Sequence, residues 1–198
     1  MKKYLKLIFL LSVPLLMIIS SCAVKYLPVG EPGAQVINDA YIYPGAETEF
    51  VVQSRYWTRE PSNLNDYFTT FYVTVKNRTD EKLSISAGDF ALLDQNGNQS
   101  DPLSVEQIED VLLHNELQYL VLKNVEEAER DRLVTLDDQS NILEDWRRAK
   151  RNLLSDSFGF GEIYPRAKRT GYIFFPKAGV KNEELTLIYK DKRFKFRR

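Results

Sequence analysis

Apolar and polar residues alternate along much of the chain, the pattern expected of β-strands with one buried face. The clearest strand runs from Tyr67 to Lys76, where Phe71, Val73 and Val75 fall on the same face. We predict that these three side chains point into the core. Further strands are predicted where apolar and aromatic residues cluster between turn residues, around Val36–Tyr43, Glu49–Trp57, Leu83–Ile85, Phe90–Leu93, Tyr172–Phe175, Leu185–Tyr189 and Arg193–Phe196.

A helical period replaces this alternation after Asp101-Pro102. Ser104 and Gln107 fit a capping box, and apolar residues then recur every three or four positions as far as Leu120. A second helix is predicted around Ile142–Leu154. Because strands precede and follow this block, the pattern favours a mainly β, antiparallel sandwich with a two-helix insertion at about 103–156 over an alternating parallel sheet.

Several strand and turn residues carry a loose resemblance to a known class of domain. They are Phe71, Val73, Val75, Asn77, Leu83, Ile85, Phe90, Leu92, Asp94, Gly97, Gly171, Phe174, Pro176, Leu185, Leu187 and Tyr189. This set resembles the small immunoglobulin-like domains of bacterial envelope lipoproteins, which implies an immunoglobulin-like sandwich over residues 36–198. A fold of this kind serves many functions and fixes none. The disulfide-bonded immunoglobulin pattern is absent, because Cys22 is the sole cysteine.

The first 21 residues have the layout of a secretory signal peptide. Lys2, Lys3 and Lys6 precede an apolar run from Leu7 to Ile19. A membrane-spanning helix needs about 20 apolar residues, and this run is shorter and contains Pro14. We therefore predict that residues 1–21 are removed.

The apolar run ends in Ile19-Ser20-Ser21-Cys22, which resembles the lipobox of bacterial lipoproteins. The resemblance implies a diacylglyceryl thioether on Cys22 and an acyl group on its new amine, and two or three such chains anchor a protein stably. Ala23 follows in place of Asp, as in lipoproteins sent on to an outer membrane. We expect a cell-envelope protein, at the outer membrane facing the periplasm or at the cell surface. An ordinary cleavage site beside a leftover thiol is the alternative.

Residues 22–35 are predicted to form the lipidated cysteine and a flexible tether, because Pro28, Gly30, Pro32 and Gly33 interrupt any regular pattern. The tether would span at most ~40 Å at ~3.3 Å per residue. The folded part could then stand clear of the lipid.

Composition restricts the chemistry that the chain can perform. One cysteine and one histidine argue against zinc clusters, CxxC redox pairs and imidazole-rich metal sites. No catalytic motif, cofactor fingerprint or calcium loop occurs, so we predict no catalytic residue, no cofactor and no metal. Without residues 1–21 the chain has 24 basic and 28 acidic residues, a formal charge of −4, and no nucleic-acid partner is expected.

Charge is unevenly distributed along the chain. Residues 101–145 carry 13 acidic and three basic side chains, most simply explained as a solvated helical surface. At the C-terminus, alternation places Phe194 and Phe196 inward and Arg193, Lys195 and Arg197 outward as a basic stripe. Three roles fit such a stripe. It protects an edge strand from aggregation. Alternatively, it contacts a partner (anionic lipid, glycan phosphate or an acidic protein), or it packs near the acidic helices of the same chain.

Tyr56 and Trp57, between Arg55 and Arg59, are further candidate partner-binding residues, with strand filling as the alternative. His114 and the paired carboxylates are interpreted as structural. The sequence as a whole favours a lipid-anchored, non-enzymatic envelope protein that acts as an interaction or binding module, with an envelope protein or glycan as its partner. The alternatives are a hydrolase with an unrecognised carboxylate site and a ligand-binding lipoprotein with a pocket between sandwich and helices.

Overall fold

A computed structural model of the protein describes residues 25–30, 33–114, 136–179 and 181–198, with the backbone alone for residues 136–143 and 145. The strands are β1 (Leu27–Pro28), β2 (Gln35–Ile37), β3 (Ala40–Pro44), β4 (Thr48–Ser54), β5 (Phe68–Asn77), β6 (Leu83–Ile85), β7 (Phe90–Asp94), β8 (Gln99–Ser100), β9 (Gly161–Ile163), β10 (Lys168–Pro176), β11 (Glu184–Tyr189) and β12 (Lys192–Arg197). The helices are α1 (Leu64–Tyr67), α2 (105–114) and α3 (Leu136–Asp156).

Ten of these strands form two antiparallel sheets. Sheet A has the order β1-β12-β11-β7-β8, and sheet B has the order β10-β5-β4-β3-β2. Strands β6 and β9 form a separate pair. The predicted mainly β sandwich with a helical insertion is confirmed, and α2 and α3 lie within the predicted insertion.

The main core fills the space between the two sheets. Phe71, Val73 and Val75 of β5 are fully buried there, as alternation predicts. Aromatic rings from opposite sheets interlock: Phe50 of β4 stacks on Tyr189 of β11 with 4.4 Å between ring centroids. Each such pair stabilises the folded state beyond the burial of its apolar area. The pairs therefore hold the two sheets in one relative orientation.

A second, smaller core lies on the outer face of sheet B. It joins Tyr172 and Phe174 of β10 to Ile108 and Leu112 of α2 and Leu153 of α3. The helical insertion therefore covers the side of sheet B that alternation alone would leave to solvent. In the part of the chain that the structure describes, no helix is long and apolar enough to cross a membrane.

The first predicted strand is in fact a hairpin. Strands β2 and β3 pair antiparallel through Gln35↔Ile42 and Ile37↔Ala40. Asn38 and Asp39 turn the chain with φ of 50° and 62°, the left-handed conformation that a two-residue hairpin loop needs. Asn and Asp adopt it more readily than most residues, which is the signal that apolar patterning missed.

The N-terminal segment differs from the tether expected between residues 22 and 35. Leu27 and Pro28 pair with Arg197 and Phe196 as an edge strand of sheet A. Tyr26 is buried, and its hydroxyl donates a hydrogen bond to the carbonyl of Asn182 at 2.8 Å. The folded domain therefore includes the segment from Tyr26 to Pro28.

The chain that leaves α3 crosses β10 at close range. The Phe158 amide donates to the Tyr172 carbonyl at 2.8 Å, and Ser157 and Tyr172 form a parallel bridge. Gly171 makes this approach possible, because a Cβ there would lie 2.6 Å from the Phe158 nitrogen. The crossing sets the end of α3 against sheet B.

Candidate functional site

A pocket of about 330 Å³ lies between the outer face of sheet B and the end of α3. Its walls include Arg55, Trp57, Arg59, Tyr72, Asp156 and Tyr172, and we call it the aromatic–arginine pocket. The volume lies at the lower end of the range for small-molecule sites. Its position matches the pocket between sandwich and helices that one of the sequence hypotheses requires.

Strand register brings the two tyrosines of the pocket together. Tyr72 of β5 and Tyr172 of β10 are direct cross-strand partners, and their ring centroids are 4.9 Å apart in a T-shaped arrangement. The Tyr172 hydroxyl donates to the Tyr56 carbonyl at 3.2 Å. Burial raises the pKa of Tyr172, so its phenol stays neutral and keeps its proton at physiological pH.

Arg55, which directly follows β4, gives the pocket a positive charge. Its guanidinium carbon lies 4.9 Å from the centre of the Tyr72 ring, within cation–π distance. Its backbone is held by Thr70, whose hydroxyl donates to the Arg55 carbonyl at 2.6 Å. Among the described residues, no carboxylate forms an ion pair with Arg55.

Arg59 and Asp156 form an ion pair at the rim of the pocket, with 3.0 Å between guanidinium Nε and carboxylate Oδ2. Asp156 is the last residue of α3 and, among the described residues, the one carboxylate that lines the pocket. The two arginines and this carboxylate leave a net charge of +1. Hydroxyl groups of Thr58, Ser155 and Thr170 complete the polar lining.

Trp57 contributes to the pocket from beneath the surface. Its side chain is 3% exposed and packs on Tyr172 and Phe174, with centroids 5.3 and 5.8 Å away. Its indole N–H is buried without a hydrogen-bond partner among the described residues. Trp57 therefore packs in the core of the helical layer, and its role in partner binding stays a prediction. Tyr56 beside it is half-buried.

The basic stripe lies elsewhere, on the outer face of sheet A. Arg193, Lys195 and Arg197 are exposed, whereas Phe194 and Phe196 are buried in the main core. This alternation is the one predicted. Arg197 pairs with Glu184 of β11 at 2.9 Å. Because α2 and α3 cover the outer face of sheet B, the stripe does not pack near the helices that the structure describes.

The other candidate residues from the sequence do not form a cluster in the described part of the chain. His114 is the last described residue of α2, and its partners lie outside the described contacts. In the described ranges, no group of three His, Cys, Asp or Glu side chains is arranged to hold a metal ion. Cys22, Asp137 and Asp138 lie outside the residues whose side chains the structure describes.

The sequence indicated only some of the residues that line the pocket. The cluster Arg55-Tyr56-Trp57-Thr58-Arg59 marked one wall, but Tyr72, Asp156 and Tyr172 come from three distant elements. Comparison of the chain with protein-family models, with curated proteins and with solved structures gives no match.

Proposed function

We propose that the protein is a lipid-anchored, non-enzymatic envelope protein whose aromatic–arginine pocket binds a small anionic ligand. The observation that carries the proposal is Arg55, a cation stacked on Tyr72 in a pocket between sandwich and helix, with no carboxylate of the described chain paired to it. A pocket with a net charge of +1 favours a ligand with a single negative charge.

The remaining polar groups narrow the class of ligand. Thr58, Ser155 and Thr170 line the pocket with hydroxyls, and those of Ser155 and Thr170 keep lone pairs beside their bonds within the protein. The Tyr72 ring supplies a flat apolar surface. A hydroxyl-rich molecule with one carboxylate, such as a sugar acid, matches this combination. Glycans of the cell envelope are a source of such molecules, in agreement with the glycan partner expected from the sequence.

Hydrolysis is less well supported by the same geometry. A two-carboxylate mechanism needs two carboxyl groups across the bond to be broken. Asp156 is the one carboxylate that the described part of the chain contributes to the lining, and it is already paired with Arg59. The pocket therefore favours binding over the hydrolase alternative.

Titration calorimetry with the purified protein tests the pocket. We expect D-glucuronate, D-galacturonate or N-acetylmuramate to bind and D-glucose to bind at least tenfold more weakly, because a charge-assisted hydrogen bond contributes roughly 1.5–3 kcal/mol. Arg55→Gln should remove this preference. Arg151→Gln, which removes an exposed charge of α3 outside the pocket, is the matched control and should leave it unchanged. Equal affinity for glucose and the acids would contradict the proposal.

The anchor rests on the lipobox resemblance and has its own test. Mass spectrometry of the membrane fraction should identify an acylated Cys22 as the first residue. Cys22→Ser should release the protein from that fraction. An intact, unmodified N-terminus would defeat the anchoring part of the proposal and leave the pocket unaffected.

A further inference from the structure

We propose that the outer face of sheet A, through Arg193, Lys195 and Arg197, docks on the anionic headgroups of the membrane that holds the lipid anchor. The inference rests on the proposed acylation of Cys22. It assigns the basic stripe to a lipid surface and gives the domain a defined orientation on that surface.

The chain between the proposed anchor and the folded domain is short. Strand β1 binds the segment from Lys25 onward to the edge of sheet A, so only Ala23 and Val24 separate Cys22 from the first described residue. Three residue steps reach about 10 Å, against the ~40 Å expected for a tether that extends to Gln35. The anchor therefore holds the domain at the bilayer surface.

The basic stripe lies beside the strand that follows the anchor. Leu27 of β1 pairs directly with Arg197 of β12, so the anchored strand and the basic strand are neighbours. Arg193, Lys195 and Arg197 project from the same face over about 14 Å, since a strand rises about 3.4 Å per residue. Leu27, 45% exposed at the edge of the sheet, adds an apolar contact.

Uncharged side chains face part of the stripe across the neighbouring strand. Across β11, Arg193 and Lys195 lie opposite Ile188 and Thr186, which carry no charge. Arg197 lies opposite Glu184 and forms an ion pair with it. An anionic bilayer is complementary to such a surface.

The opposite side of the molecule is covered by the helices. Helices α2 and α3 pack on the outer face of sheet B, across the full thickness of the sandwich from the stripe. Docking of the stripe therefore directs this side toward the solvent. The aromatic–arginine pocket then faces away from the membrane.

The stripe lies close enough to the bilayer for electrostatic attraction to act on it. Electrostatic screening acts over about 10 Å at 0.1 M salt, close to the reach of the anchor, so the stripe feels the surface potential. Each basic side chain near an anionic leaflet shifts the equilibrium about fivefold toward the docked state. Loss of two of them should reduce the ratio of docked to undocked molecules about 30-fold.

Headgroup quenching of a fluorophore tests the orientation. The acylated full-length protein is reconstituted in phosphatidylcholine vesicles, with or without phosphatidylglycerol, that contain a lipid with a nitroxide headgroup. Because Cys22 carries lipid, a cysteine introduced by Thr186→Cys or Thr74→Cys is the single free thiol for bimane. Thr186 lies on the outer face of sheet A and Thr74 on that of sheet B. We expect quenching at position 186 alone, dependent on phosphatidylglycerol and reduced by high salt.

Charge variants provide the matched comparison. Arg193→Gln combined with Lys195→Gln should abolish most of the quenching at position 186. Lys76→Gln combined with Lys168→Gln removes two exposed cations from paired positions of sheet B and should leave it unchanged. Circular dichroism checks that both double variants remain folded.

Five outcomes would overturn the inference. Equal quenching at the two positions, or quenching at position 186 that is indifferent to phosphatidylglycerol and to the double variant, excludes electrostatic docking. If position 186 is shielded in native membranes but not in pure lipid vesicles, the stripe binds an acidic protein instead of lipid. Acylated protein without quenching at position 186 overturns docking alone, whereas absence of the acyl mass overturns the anchor and docking together.

Discussion

At the scale of single residues, Asn77 is the polar side chain that the fold depends on most. It is fully buried at the end of β5. Its amide nitrogen donates to the carbonyls of Glu81 and Ile163 at 2.6 and 3.1 Å, and its oxygen accepts from the backbone N–H of Thr79. The side chain thereby ties a local turn to a segment 86 residues away.

Asn77→Asp should lower the free energy of unfolding by about 3 kcal/mol or more. A carboxylate has nearly the same shape but cannot donate to the two carbonyls, and its charge would lie at a fully buried position. Gln35→Glu makes the same chemical change at an exposed strand position and should cost no more than about 0.5 kcal/mol. Urea denaturation measures both, and comparable losses would contradict this role of Asn77.

Asp94 makes the stability of the β7–β8 turn dependent on pH. The Asn98 side chain and backbone amides of the turn donate to its carboxylate and hold its pKa below the usual range. A folded-state pKa below the unfolded value adds stability that is present above the unfolded pKa and is lost as pH falls through the folded pKa. We expect Asp94→Asn to weaken the acid-side decline in thermal midpoint. An unchanged slope between neutral and acidic pH would contradict this.

At the scale of elements, the crossing of the α3–β9 connection over β10 depends on one missing side chain. A Cβ on Gly171 would lie within 2.7 Å of backbone atoms of Ser157 and Phe158, so either the strand or the crossing would have to move. This contact holds the end of α3 in place and with it Asp156, which forms one side of the aromatic–arginine pocket.

Gly171→Ala should therefore destabilise the protein by about 2 kcal/mol or more, the cost of overpacking against atoms that cannot turn away. It should also weaken ligand binding, since Asp156 and Ser155 would shift. Gly159→Ala lies in the same connection, where nothing comes within 4 Å of the added carbon, and should change stability by less than about 0.5 kcal/mol. Equal effects of the two substitutions on the denaturation midpoint would refute the packing argument.

At the scale of the whole molecule, the structure has three layers with cores of unequal size. Counted over the described side chains, the main core between the sheets is larger than the second core between sheet B and the helices. A layer with fewer buried contacts opens at a lower free energy than the rest. The helical layer should therefore open while the sandwich stays closed.

Hydrogen exchange measures this difference. Leu153→Ala, which leaves a cavity under α3, should cost about 3 kcal/mol and accelerate exchange in α2 and α3 while β11 and β12 remain protected. Leu187→Ala, at an equally buried position of the main core, should accelerate exchange in both sheets. Uniform acceleration in the Leu153 variant would show that the layers unfold as one unit.

The sequence by itself determined the fold class, the strands of the main core and the outward direction of the basic stripe. These follow from alternation, which depends on the geometry of each strand alone, as Phe194 and Phe196 show against Arg193 and Lys195. Only the tertiary structure decided which face the helices cover, that β1 docks beside β12, and that Tyr72, Tyr172 and Asp156 meet Arg55 in one pocket. Those arrangements depend on contacts between segments far apart in the chain, and local patterning carries no information about which distant partner fills a given face.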